Sequence, residues 1–226
     1  MIGVPRNING ERIFFPPRVS RYFPRLYEVG KWEFIEAYCR GISLDLGAHI
    51  GLFTVKMSKI SQIVVAAEPT YDSFSYLTAT LRLNKVFNVV ALNSCVSDHD
   101  GIVDFCETDN TASCLNSTSS IARATVTKKK SFTIDSLRIP FDFIKIDIEG
   151  GELRALKGAQ ETLANTKAIC LEVHPAQLKL EDSTNMDIHQ VLYPYSPKYF
   201  IDGKVITSKC FIEHPEQCEF QILLGD

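Results

Sequence analysis

The seven cysteines of the sequence include no C-x-x-C pair, so a structural zinc site is not expected. Their number is odd and they are scattered. Cys39, Cys95 and Cys170 sit inside apolar runs and read as small buried hydrophobes. Basic charge is not in excess. Lysine and arginine number 24 against 27 acids, the net charge is −3, and Lys128-Lys129-Lys130 is the one basic run. That balance lacks the electrostatic footprint of a nucleic-acid or anionic-membrane binder. No apolar span is long enough to cross a membrane, and no charged-then-apolar leader opens the chain. A reducing cytoplasmic setting is expected, which makes the Asn116-Ser117-Thr118 sequon a chance match. Neither phosphate-cradling pattern, G-x-x-x-x-G-K-[ST] or G-x-G-x-x-G, is present. No internal repeat or linker divides the chain, so residues 1–226 are expected to form one domain.

What is present is alternation. Ile42–Leu46 is a short apolar run ending in Asp45-Leu46, followed by a glycine turn and a helix over Ile50–Ile60. Ile63–Ala67 is continuously apolar, as a strand buried on both faces must be, and Tyr71–Leu83 repeats Phe74, Leu77 and Leu81 at helical spacing. Val89–Val96, Phe141–Asp147 and Ala168–Val173 read as further strands, with a helix over Glu149–Leu163. Ile102–Cys106 and Thr125–Thr133 read as short strands flanking Glu107–Ser120, a polar stretch that suits either a substrate loop or plain solvent-facing chain. Asn185–Leu192 is a short helix, Tyr199–Ile206 a hairpin turning on Asp202-Gly203, and Phe220–Leu224 a last strand. Residues 1–27 read as irregular or β, with a turn at Asn9-Gly10. Glu28–Arg40 reads as a helix, and residues 1–40 either cover the ligand site or cap a sheet edge. Repeated βα units with a closing hairpin predict an α/β fold with a mainly parallel sheet.

In such sheets, ligands bind beyond the carboxyl ends of the strands. Each predicted strand ends there in polar groups: Asp45 with Gly47, Ala48 and Gly51; Glu68; Ser97-Asp98; Lys145, Asp147 and Glu149; Glu172 and His174. Singly, each has a plain structural explanation as a helix cap or surface acid. Glu68 is the most informative, because it closes the second strand, 23 residues after Asp45. A carboxylate there accepts hydrogen bonds from both ribose hydroxyls of a nucleoside. Without a pyrophosphate loop, S-adenosylmethionine (SAM) is the expected cofactor. The glycine turn would hold its methionine part and Ser97-Asp98 its adenine.

The stretches D-x-G-A-x-x-G-x-x-T (Asp45–Thr54), E-P (Glu68-Pro69), Asp135, I-K-I-D-I-E-G-x-E (Ile144–Glu152), L-x-G-A (Leu156–Ala159) and E-V-H (Glu172–His174) resemble the FkbM family of SAM-dependent methyltransferases. The resemblance spans roughly residues 40–175. The Ile144–Glu152 stretch is its specific part; the glycine turn is common to many SAM enzymes. It implies a class I methyltransferase fold, a Rossmann-like three-layer sandwich whose seven-stranded, mostly parallel sheet has an antiparallel last strand, with residues 41–226 as catalytic core. It also implies transfer of a methyl group to a hydroxyl of a small molecule or glycan. Two positions depart from the pattern: His49 stands where asparagine is usual, and Gly151 where a larger residue is usual.

The implied reaction is an in-line attack of a hydroxyl oxygen on the sulfonium methyl, with loss of a proton. Lys145, Asp147, Glu149 and His174 are the expected catalytic residues. Asp147 is expected to position the cofactor's ammonium or the acceptor, and Glu149 or His174 to take the proton. A divalent cation between Asp147 and Glu172 is a variant that the sequence does not require, and no metal is assigned. Two alternatives stay open: a ribose 2′-O-methyltransferase acting on RNA, which the acidic charge disfavours, and a SAM- or nucleoside-binding module without catalysis.

Overall fold

The computed structural model describes residues 2–107, 113–115 and 125–225. An N-terminal hairpin, β1 (Val4–Ile8) and β2 (Glu11–Phe15), turns on Asn9 and Gly10, both at positive φ. Helix α1 (Val29–Tyr38) follows, then the expected βα succession: β3 (Ile42–Leu46), α2 (Leu52–Ser58), β4 (Ile63–Ala67), α3 (Tyr71–Leu83) and β5 (Val89–Leu92). The chain then leaves the main sheet for β6 (Cys95–Val96), β7 (Gly101–Glu107), β8 (Ser113–Leu115) and β9 (Thr125–Phe132). It returns as β10 (Phe143–Ile146), α4 (Glu152–Lys157), α5 (Gln160–Leu163) and β11 (Ala168–Val173). Helices α6 (Pro175–Leu180) and α7 (Asn185–Leu192), hairpin β12 (Lys198–Ile201) and β13 (Lys204–Ile206), α8 (Ser208–Ile212) and β14 (Cys218–Leu223) complete it.

Among the described residues the main sheet has eight strands, in the order β13-β12-β14-β11-β10-β3-β4-β5. Strands β11, β10, β3, β4 and β5 are mutually parallel, and β14 runs antiparallel to β11. The antiparallel last strand is therefore as expected. The eighth strand is β13, which the Asp202-Gly203 turn folds back onto β12; both turn residues are at positive φ, as a two-residue hairpin requires.

Side chains alternate across β10 and β11. Ile144, Ile146, Ile169 and Leu171 face a layer holding Leu153, Leu156, Ile188 and Phe211, while Phe143, Ala168 and Cys170 face Trp32, Ile35, Val55 and Leu77. Both faces are covered by helices, so these strands read as mostly apolar runs, interrupted at Lys145 and Glu172, rather than as alternating ones, and the three-layer sandwich follows.

Two elements predicted as continuous are divided. Val89–Val96 breaks after Leu92, where Asn93 donates to the Glu68 and Pro69 carbonyls and turns the chain. Cys95–Val96 then pairs with β9 in a second sheet, ordered β6-β9-β7-β8. The helix over Glu149–Leu163 breaks at Gly158, where a Cβ would stand 2.4 Å from the Ser97 carbonyl oxygen; that close approach fixes the second sheet against the core. The polar stretch Glu107–Ser120 lies mostly outside the described residues.

Candidate active site

The order of the sheet reverses between β3 and β10. From β3 the chain builds outward through β4 and β5; β10 and β11 lie on the other side. A crevice opens beyond the carboxyl ends of strands at such a switch point. Here it is lined by Gly47 and His49 after β3, Glu68 and Pro69 after β4, Ser94–Val96, and Asp147–Glu149 after β10. Tyr22 and Tyr27 of the N-terminal segment and Phe105 of β7 complete the wall. Tyr22 meets the His49 ring edge-on, with centroids 4.9 Å apart. Tyr22 and Tyr27 therefore bring the N-terminal segment to the cleft wall.

The glycine turn is braced from beneath. Asp45 is fully buried and accepts from the Thr54 hydroxyl at 2.6 Å. Lys145, 1% exposed, stands 3.1 Å from Asp45 and donates to the Gly47 carbonyl at 3.2 Å. Burial alone would lower the lysine's pKa; Asp45 and Asp147 outweigh it and raise it. Gly47 has φ +74, and a Cβ on it would stand 1.8 Å from the Asp147 carbonyl oxygen, so only glycine passes between β3 and β10. Lys145, expected among the catalytic residues, lies behind the turn and reaches no cleft surface. Ala48 is buried, and Gly51 packs on Leu77 of α3.

Glu68 is 6% exposed and pinned at both oxygens, by the His49 N–H at 2.9 Å and the Thr70 N–H at 2.8 Å. Burial raises its pKa and these backbone donors pull it back down. The Thr70 hydroxyl takes up a further acceptor position, which leaves a lone pair for a hydroxyl in the cleft. His49 is lowered by burial, then by Lys145, and so favours the neutral ring. It occupies the left-handed region at φ 50, a conformation that asparagine adopts more readily.

Ser97 and Asp98 do not line the cleft. Because the chain turns at Asn93, Ser94, Cys95 and Val96 reach it instead, while Ser97 is fully buried and donates to Asp98 at 3.1 Å.

Asp147, Glu149 and His174 converge at the far end. His174 is fully buried. Its Nδ1 lies 2.7 Å from Oε1 of the equally buried Glu152, and its Nε2 lies 3.3 Å from Glu149. Burial opposes its charge, but Glu152, Glu149 and Asp147 prevail and raise its pKa to about 9. A histidine so held keeps its proton at neutral pH, contrary to its expected role as base. Glu149 is raised by burial, partly countered by His174. It occupies the left-handed region at φ 57, a strain of about 1 kcal/mol. Burial would raise Asp147, but Lys31, Lys145 and His174 hold it well below the usual carboxylate range.

Sequence reasoning missed Tyr22, Tyr27, Lys31 and Glu219. Lys31 is 1% exposed and ringed by Glu28, Asp147 (3.4 Å), Glu172 (2.8 Å) and Glu219 (3.5 Å), which raise its pKa well above the ordinary value against the effect of burial. Periodicity gives no sign of this, because a lysine between apolar helix positions looks solvent-facing. Glu152 had a signal: an acid two residues beyond Gly150, next to the apolar face of α4. Among the described residues no helix is long and apolar enough to cross a membrane.

Residues 45–196 match the methyltransferase FkbM domain. No curated protein matches the chain in sequence. Among solved structures, SMU.1697c from Streptococcus mutans, determined in complex with SAH, is similar at a TM-score of 0.52 and 10% identity over 85% of this chain and 94% of that one. An rRNA methylase from Streptococcus thermophilus is similar at 0.50 and 10% identity, over 86% and 93%. At these identities the likeness is one of fold.

Proposed function

We propose, from the premise that the chain belongs to the FkbM methyltransferase family, that it moves a methyl group from SAM to a hydroxyl oxygen of a small molecule or glycan. The observation that carries this reading is the cleft at the switch point, with the pinned Glu68 carboxylate at one end and the Asp147–Glu149 pair at the other. The donor set fits the cofactor. Glu68 offers its remaining acceptor capacity to a ribose hydroxyl, and the acid-rich far end suits an ammonium and a sulfonium cation. When bound, SAM supplies an electrophilic methyl.

The chain's own residues then have separable tasks. Gly47 and the Lys145–Asp45 brace fix the backbone turn under the cofactor. Asp147, kept ionised by Lys31 and Lys145, holds positive charge in place. Glu149 faces the cleft, and its raised pKa makes it the better proton acceptor of the pair. His174 holds Glu149 in position. Tyr22 and Tyr27 exclude water from one wall. The carboxylates beside the cleft would repel a phosphodiester backbone, which disfavours RNA as acceptor. Unbridged thiols at Cys39, Cys170 and Cys210 support a reducing, cytoplasmic setting.

The test is transfer of isotope-labelled methyl from SAM to a panel of sugars and hydroxyl-bearing small molecules. Label in a base-stable ether product is expected. Label only in RNA, or SAM binding without turnover on any acceptor class, would overturn the reading.

A further inference from the structure

His174 presents a nitrogen that the fold prepares and then leaves without a hydrogen bond. Its side chain is fully buried, and Nε2 has no hydrogen-bond partner among the described residues. Its Nδ1 faces Glu152 Oε1 at 2.7 Å, and the same oxygen accepts the Gly150 N–H at 2.9 Å. That oxygen is therefore an acceptor, so the Nδ1 proton sits on the histidine and the ring orientation is fixed. A carboxylate on one imidazole nitrogen with the other aimed at acids is the outer-shell arrangement that orients histidine metal ligands.

Nε2 is aimed at a constructed set of donors. One ligand atom each from Asp147, Glu149 and His174 lies within 4.8 Å of the others. Donors on a small divalent ion at about 2.1 Å stand roughly 3–4 Å apart, so side-chain shifts below about 1 Å close the set. Lys31 and Lys145 both contact Asp147 through Oδ2, at 3.4 and 3.7 Å. Asp45, Asp147, Glu149, Glu152 and Glu172 outweigh those two lysines around this point, which leaves net negative charge for a cation.

We propose that Asp147, Glu149 and His174 form a divalent transition-metal site at the acceptor end of the cleft, with Glu152 as the residue that orients His174. One nitrogen and two carboxylate oxygens suit Mn²⁺ or a similar first-row ion better than Mg²⁺ or Ca²⁺, which favour oxygen alone. The ion takes the place of the Nε2 proton. Each residue uses one atom, so Glu149 keeps a second oxygen toward the cleft. The three protein ligands leave positions on the ion for water or an acceptor hydroxyl. The site rests on side-chain geometry alone; its use in methyl transfer rests on the function proposed above.

The test is titration of the full chain with Mn²⁺ alone, followed by electron paramagnetic resonance and by electron spin-echo detection of nitrogen coupling. One saturable Mn²⁺ per chain with directly bound nitrogen is expected. Glu149→Gln, at a partly exposed position, is expected to weaken binding tenfold or more while circular dichroism stays unchanged. Glu152→Gln is expected to weaken it about 10–100-fold. Mn²⁺ that fails to saturate, lacks nitrogen coupling, or binds Glu149→Gln as well as the parent would overturn the site. The titration contains no SAM, so a negative result leaves the proposed methyl transfer standing.

Discussion

Replacing Lys145 by methionine probes the brace beneath the glycine turn. The ammonium lies 3.1 Å from Asp45, and both groups are cut off from solvent. At an effective dielectric constant near 20, that separation corresponds to about 5 kcal/mol of attraction, most of which offsets the cost of burying the two charges. Removing one partner forfeits the attraction but leaves the other charge buried, at a cost of about 3–5 kcal/mol. The Thr54 hydroxyl still serves one Asp45 oxygen, which puts the expectation at the lower end, near 3 kcal/mol. Asp45→Asn in the same chain removes the stranded charge and should recover at least half of the loss. Urea unfolding of parent, single and double variants gives the coupling energy directly. A loss below about 1 kcal/mol for Lys145→Met, or a double variant whose loss is the sum of the two singles, would refute the brace.

Other outcomes follow from the same geometry. Lys31→Met should leave Glu28, Glu172 and Glu219 facing one another, lower stability by about 3 kcal/mol or more, and expose residues 2–38 first in limited proteolysis. Glu149→Gln should cut kcat about 10²–10⁴-fold on any accepted hydroxyl while SAM affinity holds, as read by steady-state kinetics beside a binding titration. Stability should also depend on pH through His174. Its pKa rises from 6.5 to about 9 on folding, so its contribution is complete below about pH 6.5 and is lost as pH climbs through 9. That amounts to roughly 3 kcal/mol at most. Glu219, raised by burial to about 7, adds a loss in the same direction between its ordinary 4.5 and pH 7. Urea midpoints at about pH 4.5, 7 and 9 separate the two losses, and His174→Gln should flatten the basic side.

The parallel strands were legible because both faces are covered. Ile63–Ala67 is apolar throughout, and Ile42–Leu46 is interrupted only by Ser43 and Asp45, both buried. Tyr71–Leu83 and Asn185–Leu192 showed their helical period for the opposite reason, having one wet face. The divisions at Asn93 and Gly158 were not legible, since each depends on a partner distant in sequence: Asn93 on the end of β4, Gly158 on the Ser97 carbonyl. The same reason explains the site. Glu68, Asp147 and Glu149 could be located from the ends of their own strands. That Lys145 lies behind the turn, and that Ser94–Val96 rather than Ser97-Asp98 reach the cleft, depends on where neighbouring elements cross. Lys31 was invisible because, Glu28 apart, its partners come from distant stretches: Asp147 just after β10, Glu172 in β11 and Glu219 in β14.

Calorimetric titration with S-adenosylhomocysteine of the parent chain and Glu68→Gln tests the nucleoside pocket most directly. Glutamine keeps the size of the side chain but loses the charge that a ribose hydroxyl would meet, at about 1.5–3 kcal/mol for a hydrogen bond to a charged group. Saturable one-to-one binding by the parent, weakened about 10–100-fold in Glu68→Gln with the unfolding midpoint little changed, is the predicted result. Equal affinity in the two proteins would contradict the placement of the nucleoside at Glu68, and with it the assignment of the cleft.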